Sequence, residues 1–232
     1  MIPLDTFDMP RFLARSAFFS AMSADELQRM ASACQIKRFP KGDMIFRTGE
    51  PCDAFHIVVD GEVKLFVSSA AGHEKVVEIA CAGQSFGEGM MFLDKPCILN
   101  ARTLTDVVLV VVSKQGVFLE VAQDPRFAMH MLAGISRRLH GLIQDVQSYA
   151  LHNGMQRLIG FLLRDVDTNA QAVGTFTVTL PASKATIASR LSLTPEYFSR
   201  VLHELESIQL IQIDKRDIHI ADVQRLASHG AT

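Results

Sequence analysis

Residues 191–211 read LSLTPEYFSRVLHELESIQLI. Thr194 suits an N-cap, and Pro195 suits the first helical position, where its missing N–H would be unpaired anyway. Val201, Leu202 and Leu205 then form a buried stripe. Glu196, Ser199 and Arg200 stand at i, i+3 and i+4, so they share one outward face near the N-terminal end. A helix that enters a DNA major groove carries its base-reading side chains there. An ordinary surface helix would use Glu196 and Arg200 as an i,i+4 ion pair, and the stretch alone does not separate the two readings.

Its neighbours do. Upstream, MQRLIGFLLRDV (155–166) reads as a helix, DTNAQAVGTF (167–176) as a polar loop and FTVTLP (176–181) as a short strand. SKATIASRL (183–191) reads as a short helix capped by Ser183, and SLT (192–194) as a tight turn. Downstream, LIQIDKRDIHIAD (210–222) reads as two strands around a DKRD tip. Strand, helix, turn, helix and hairpin in that order make a winged helix-turn-helix over residues 150–232.

Before it lies a long helix, 125–149, opening at Pro125. Met131, Ile135, Leu139, Leu142 and Val146 follow at spacings of 4, 4, 3 and 4, close to a heptad seam. The helix is expected to pack its first part on the preceding domain and the rest against a second copy. Residues 1–124 open with short helices, among them SADELQRMASAC with Ser23 and Glu26 as a capping box. From Ile36 to Val112, β-rich runs alternate with glycines, the pattern of a compact β-roll or jelly roll. IVVDGEVKLF (57–66) reads as a hairpin with Asp60-Gly61 as its turn. The fold class is therefore α+β.

With 48% hydrophobic and 21% charged residues in 232, the chain is globular. A formal net charge of −2 gives no global nucleic-acid signal, so a DNA surface has to be a local arrangement of positive charge. The N-terminus carries acids early and has no signal-length apolar core, and the longest apolar run, VVLVVV (107–112), is too short to span a bilayer. A cytoplasmic protein with no membrane partner is expected. Cys34, Cys52, Cys81 and Cys97 are scattered with no CxxC pair, which argues against a zinc site or iron–sulfur cluster. GxxxxGK[ST] and HExxH are absent, so an enzyme is not expected.

Over nearly its full length the chain resembles the CRP/FNR family of bacterial transcription regulators. The resemblance is carried by the β-roll glycines, GQSFGEGMMFLD (83–94), the long helix and LTPEYFSRVLHELESIQLI (193–211). It implies a homodimer joined along the long helix, an effector between roll and helix, and an activator that works with RNA polymerase on double-stranded DNA. Two recognition helices would enter successive major grooves about 34 Å apart. Glu196, Ser199 and Arg200 match the E-x-x-S-R pattern of the FNR-like branch, whose half-site resembles TTGAT. Arg200 can donate to guanine and Glu196 can accept from cytosine. Thr194 belongs to the same interface, while Ser183, Lys184, Lys215 and Arg216 would touch phosphates.

Cyclic-AMP-binding members hold the phosphate with Gly-Glu and Arg-Ser pairs. Gly87 and Glu88 match the first pair, but Cys97 and Ile98 stand at the second, with no guanidinium for an anion; Arg102 is assigned to the fold. Cyclic AMP is therefore not expected, although a cyclic-nucleotide-responsive regulator stays as one alternative. FGEGMMFLDKP (86–96) is most similar to the Dnr/NnrR branch, which responds to nitric oxide, with sensing attributed to haem. The resemblance implies a pocket of Gly87, Glu88, Met90, Met91, Phe92, Cys97, Met131 and Leu132, with His130, His56 and His140 as candidate axial ligands. The other alternative is an effector-independent or thiol-controlled regulator in which Cys97 is the reactive group.

Overall fold

A computed structural model describes residues 7–16, 18–164 and 176–230. The chain divides into two compact units, Met1–Gly141 and Leu142–Thr232.

The first unit opens with α1 (Met9–Leu13) and α2 (Ala24–Ser32), and the expected Ser23–Glu26 capping box starts α2. β1 (Cys34–Phe39), β2 (Met44–Phe46), β3 (Ala54–Asp60), β4 (Val63–Ser68), β5 (Glu74–Ala80) and β6 (Ser85–Phe86) follow. Then come α3 (Glu88–Leu93), β7 (Asn100–Thr103), β8 (Val107–Ser113) and α4 (Lys114–Gln123). The strands build two antiparallel sheets, ordered β1-β8-β3-β6 and β2-β7-β4-β5.

This topology corrects the expected hairpin at Asp60-Gly61. β3 pairs with β8 and β6, β4 pairs with β5 and β7, and the two strands lie in different sheets. Gly61 carries the chain from one sheet to the other at φ +88°, where a Cβ would lie 2.4 Å from the Asp106 carbonyl oxygen. The close approach explains the glycine as well as a hairpin would.

The VVLVVV run is β8, a strand buried on both faces. Val107 and Leu109 join Val58, Val63, Leu65, Ala80, Phe86 and Ala101 between the sheets. Val110 and Val112 join a second core with Phe19, Phe55, Ile57, Met91, Phe127 and Met131 under the helices.

The long helix is α5 (Pro125–Leu151), and the boundary between the units falls within it. It carries two apolar stripes. Phe127, Met131, Gly134 and Arg138, spaced 4, 3 and 4, face the roll: Phe127 and Met131 are buried, and Phe18 sits so close to Gly134 that a Cβ would come within 2.1 Å of its ring. Leu132, Leu139, Leu142, Ile143 and Val146 are exposed. The expected seam positions therefore do not share one exposed face. Met131 belongs to the intrachain core and is not free for a partner, Ile135 packs against that core at the edge, and Leu132 and Ile143 join the outward stripe.

In the second unit α6 (Gly154–Leu163) starts on an Asn153–Gln156 capping box. The expected loop up to residue 175 lies outside the described residues. β9 (Phe176–Thr179), α7 (Lys184–Arg190), α8 (Pro195–Ser207), β10 (Ile211–Asp214), β11 (Asp217–Ile220) and α9 (Val223–Gly230) complete the chain. The strands form one sheet, β10-β11-β9. Phe198, Val201, Leu202 and Leu205 bury one side of α8, as the stripe required.

Candidate nucleic-acid interface and effector site

Thr194 caps α8 as expected, its hydroxyl accepting from Tyr197 N at 3.2 Å. Ser183 caps α7 by accepting from Thr186 N at 3.2 Å. Between the two helices Ser192 takes a left-handed conformation, φ +56°, and Leu193 N donates to Ala188 O at 2.9 Å. The turn thus aims the first turns of α8 outward. Glu196 and Arg200 are exposed on one face with half-buried Ser199 between them. The Glu196–Arg200 ion pair of an ordinary surface helix does not form among the described residues. The Arg200 guanidinium lies instead over the Tyr197 ring, 4.8 Å from its centroid.

The other expected cations divide. Lys184 is half-buried at the start of α7, and Lys215 is exposed at the wing tip with φ +55°. Arg216 turns back, its Nε and Nη2 donating to Leu180 O at 3.0 and 2.7 Å. Its guanidinium fastens the wing to the end of β9, and Lys215 stands exposed beside it at the tip.

A network missed by sequence reading ties the last turns of α5 to the helix-turn-helix. Arg190 is 6% exposed; it donates to Asp145 at 2.6 Å and to Tyr149 Oη at 2.5 Å. Tyr149 donates in turn to Arg190 O, and Arg164 donates to Asp145 at 3.0 Å. A buried guanidinium requires such a partner set. The sequence signal was slight: one arginine in the apolar line Ile187, Ala188, Leu191.

In the first unit Gly87 adopts φ +96° and opens α3, which places Glu88 inside the fold. Glu88 is 2% exposed and neither carboxylate oxygen has a hydrogen bond. Arg138 approaches Oε1 at 3.4 Å, donates to Ser85 O at 2.7 Å and pairs with Glu78. Arg138, Glu78 and Ser85 were not expected here. The spacing of Phe127, Met131, Gly134 and Arg138 puts the arginine on one face with them, but the spacing alone does not say that this face is the buried one.

Of the expected pocket residues, Met90, Met91, Phe92, Cys97 and Met131 meet in one core. Leu132 does not join them. It stands about 100° further round α5 and is 55% exposed. Cys97 lies beside Cys52, whose Sγ donates to Gly87 O at 3.2 Å. Burial pushes the Cys97 thiol up to about 12 and the Cys52 thiol upward as well. Arg102 belongs to the outer sheet surface, paired with Glu74 at 3.2 Å.

The candidate histidines also separate. His56 stacks on Phe86 with centroids 5.0 Å apart and lies 5.7 Å from the Phe46 ring. Burial, with Lys37 second, lowers its pKa to about 4, so the imidazole is neutral at pH 7. His56 Nδ1 and His130 Nδ1 are both buried without a hydrogen-bond partner. His140 is exposed on α5. Among the described residues no group of three or more His, Cys, Asp and Glu could hold a metal ion, and no helix is long and apolar enough to cross a membrane.

Known proteins match this arrangement unit by unit. Residues 36–124 match the cyclic nucleotide-binding domain, and residues 156–229 match the Crp-like helix-turn-helix domain. The chain is 24% identical over 220 residues to a CRP-like cAMP-activated global transcriptional regulator of Mycobacterium tuberculosis, covering 94% of this chain and 98% of that one. The structure of DNR from Pseudomonas aeruginosa is 29% identical, with a TM-score of 0.53 over 98% of this chain and 99% of that one. FixK2 of Bradyrhizobium japonicum, at 23% identity, shares the fold with a TM-score of 0.74 over 84% of this chain and 96% of that one. The two domains together span both units in the family's order, and the chain belongs to the CRP/FNR family of DNA-binding transcription regulators.

Proposed function

We propose that the protein is a homodimeric, effector-gated transcription activator of the cytoplasm that reads a TTGAT-type palindrome and works with RNA polymerase. The observation that carries the DNA reading is the exposed face of Glu196, Ser199 and Arg200 on the first turns of α8, with Arg200 free of Glu196. Arg200 donates to guanine O6 and N7, Glu196 accepts from cytosine N4, and Ser199 reads a neighbouring base. Thr194 holds the helix start, while Ser183, Lys184 and Lys215 meet phosphates. Dimerisation along the exposed stripe of α5 supplies the second half-site. Arg200→Ala should lose discrimination of about 1–3 kcal/mol per half-site and keep its non-specific affinity. Titration against the palindrome and a scrambled site reads this, and an unchanged preference would overturn it.

The effector site centres on Glu88, Arg138 and the core beside them. Arg138 is the cation nearest Glu88, and it is already engaged by Glu78 and Ser85 O, so a cyclic nucleotide phosphate would meet two carboxylates before a free guanidinium. That supports an effector other than cyclic AMP. The same core supports haem, with nitric oxide as the signal. His130 is the donor that fits, because its buried Nδ1 has no partner. At His56 a porphyrin would have to displace Phe46 and Phe86. Haem would supply an iron that takes nitric oxide, and the residues of this chain would hold it and exclude water. A visible spectrum of the reduced protein with haem should show a Soret band that shifts on adding nitric oxide and weakens in His130→Ala. A spectrum identical to that of free haem would remove this reading. The thiol alternative has less support, because burial keeps Cys97 and Cys52 protonated, and the thiolate is the reactive form.

A further inference from the structure

Arg200 is on the exposed side of α8, where a long cationic side chain ordinarily samples many rotamers. Here the Tyr197 ring, one turn earlier, lies beneath its guanidinium at 4.8 Å. Tyr197 is itself held. A Cβ on Gly154, the first residue of α6, would fall 2.4 Å from Tyr197 Cε1 and 2.9 Å from Leu193 Cδ2, so ring and leucine pack closely against the glycine. Gly154 is fixed in turn by the Asn153–Gln156 capping box. A chain of contacts therefore runs from the start of α6 through Tyr197 to Arg200.

We propose that Tyr197 is a positioning residue for sequence readout, holding the Arg200 guanidinium ready for the guanine edge; this rests on the assignment of Arg200 as the base-reading arginine. The two roles are compatible. An aromatic ring engages the π face of a guanidinium, whereas the N–H donors that make a bidentate contact point outward in its plane. The ring needs no phenolic hydroxyl for this, so the inference concerns the π face.

The test compares affinity for a TTGAT palindrome and a scrambled duplex in the full-length protein carrying Tyr197→Ala, Tyr197→Leu, Tyr197→Phe or Arg200→Ala. Loss of an exposed cation–π contact in both half-sites should lower the preference about 5- to 30-fold for Tyr197→Ala. Tyr197→Leu should fall equally, because it fills the space beside Gly154 without a π face. Tyr197→Phe should stay within about twofold of the parent. Scrambled-site affinity and the melting temperature of the leucine variant should be unchanged, which a general loss of folding would not allow. If Tyr197→Leu keeps the full preference, packing and not stacking is what Tyr197 supplies, and the inference fails. If Arg200→Ala loses the preference while Tyr197→Ala keeps it, positioning alone fails. If Arg200→Ala also keeps it, the base-reading assignment fails first.

Discussion

His56 carries an imidazole that the β-roll keeps neutral. Its ring stacks on Phe86 and faces Phe46, with Nδ1 buried and unpartnered. The folded pKa of about 4 lies below the usual 6.5. The unfolded chain therefore binds the proton first as pH falls. The contribution to stability is complete above pH 6.5 and is lost as pH drops through 4, by up to about 3 kcal/mol. Urea unfolding of the parent and of His56→Phe across that window should show the extra loss in the parent alone; equal pH slopes would refute it. The sequence marked His56 as a candidate ligand within the β-rich region. It could not place Phe46 and Phe86 against the ring, since those contacts depend on how three strands meet.

At the level of single elements, α5 and α7 are joined by a charge network. Asp145 accepts from both Arg190 and Arg164, and Arg190 is buried. Asp145→Asn leaves that guanidinium without its counter-charge and should cost the C-terminal unit about 3–5 kcal/mol. Arg190→Met removes the charge itself and should cost less. Thermal unfolding of the two variants gives the order, and a milder Asp145→Asn would contradict it. The caps of α2, α7 and α8 were all legible, because a cap is a local agreement between a side chain and the next three residues. The hairpin at Asp60-Gly61 was not, because the same glycine serves a crossover between sheets, and the close approach of Asp106 that selects it is 45 residues away in sequence.

For the whole molecule, the outward stripe of α5 is the surface on which the proposed dimer would form. Leu139 and Val146 are 57% and 65% exposed, with Leu132, Leu142 and Ile143 alongside. A continuous apolar stripe of this length on a charged helix is the surface an isologous helix pair would cover. Leu139→Glu should convert the dimer to a monomer in sedimentation and weaken palindrome binding in parallel, whereas Met131→Glu should damage folding of the N-terminal unit first. A stable dimer of the Leu139→Glu protein would place the interface elsewhere.

What depends on neighbours along the chain is readable from residue order: the β-rich domain, the long helix, the winged helix-turn-helix and the outward set of Glu196, Ser199 and Arg200. Periodicity, caps and turn residues carry that information because helices and turns are closed within a few residues. Tertiary structure alone decided which stripe of α5 is buried, that Arg138 comes to Glu88, that Arg216 turns inward to Leu180, and that Tyr197 lies under Arg200 against Gly154. Apart from the one-turn step from Tyr197 to Arg200, each of these contacts joins residues from separate elements. Burial and hydrogen bonding act on the side chains brought together in space, whatever their distance along the chain.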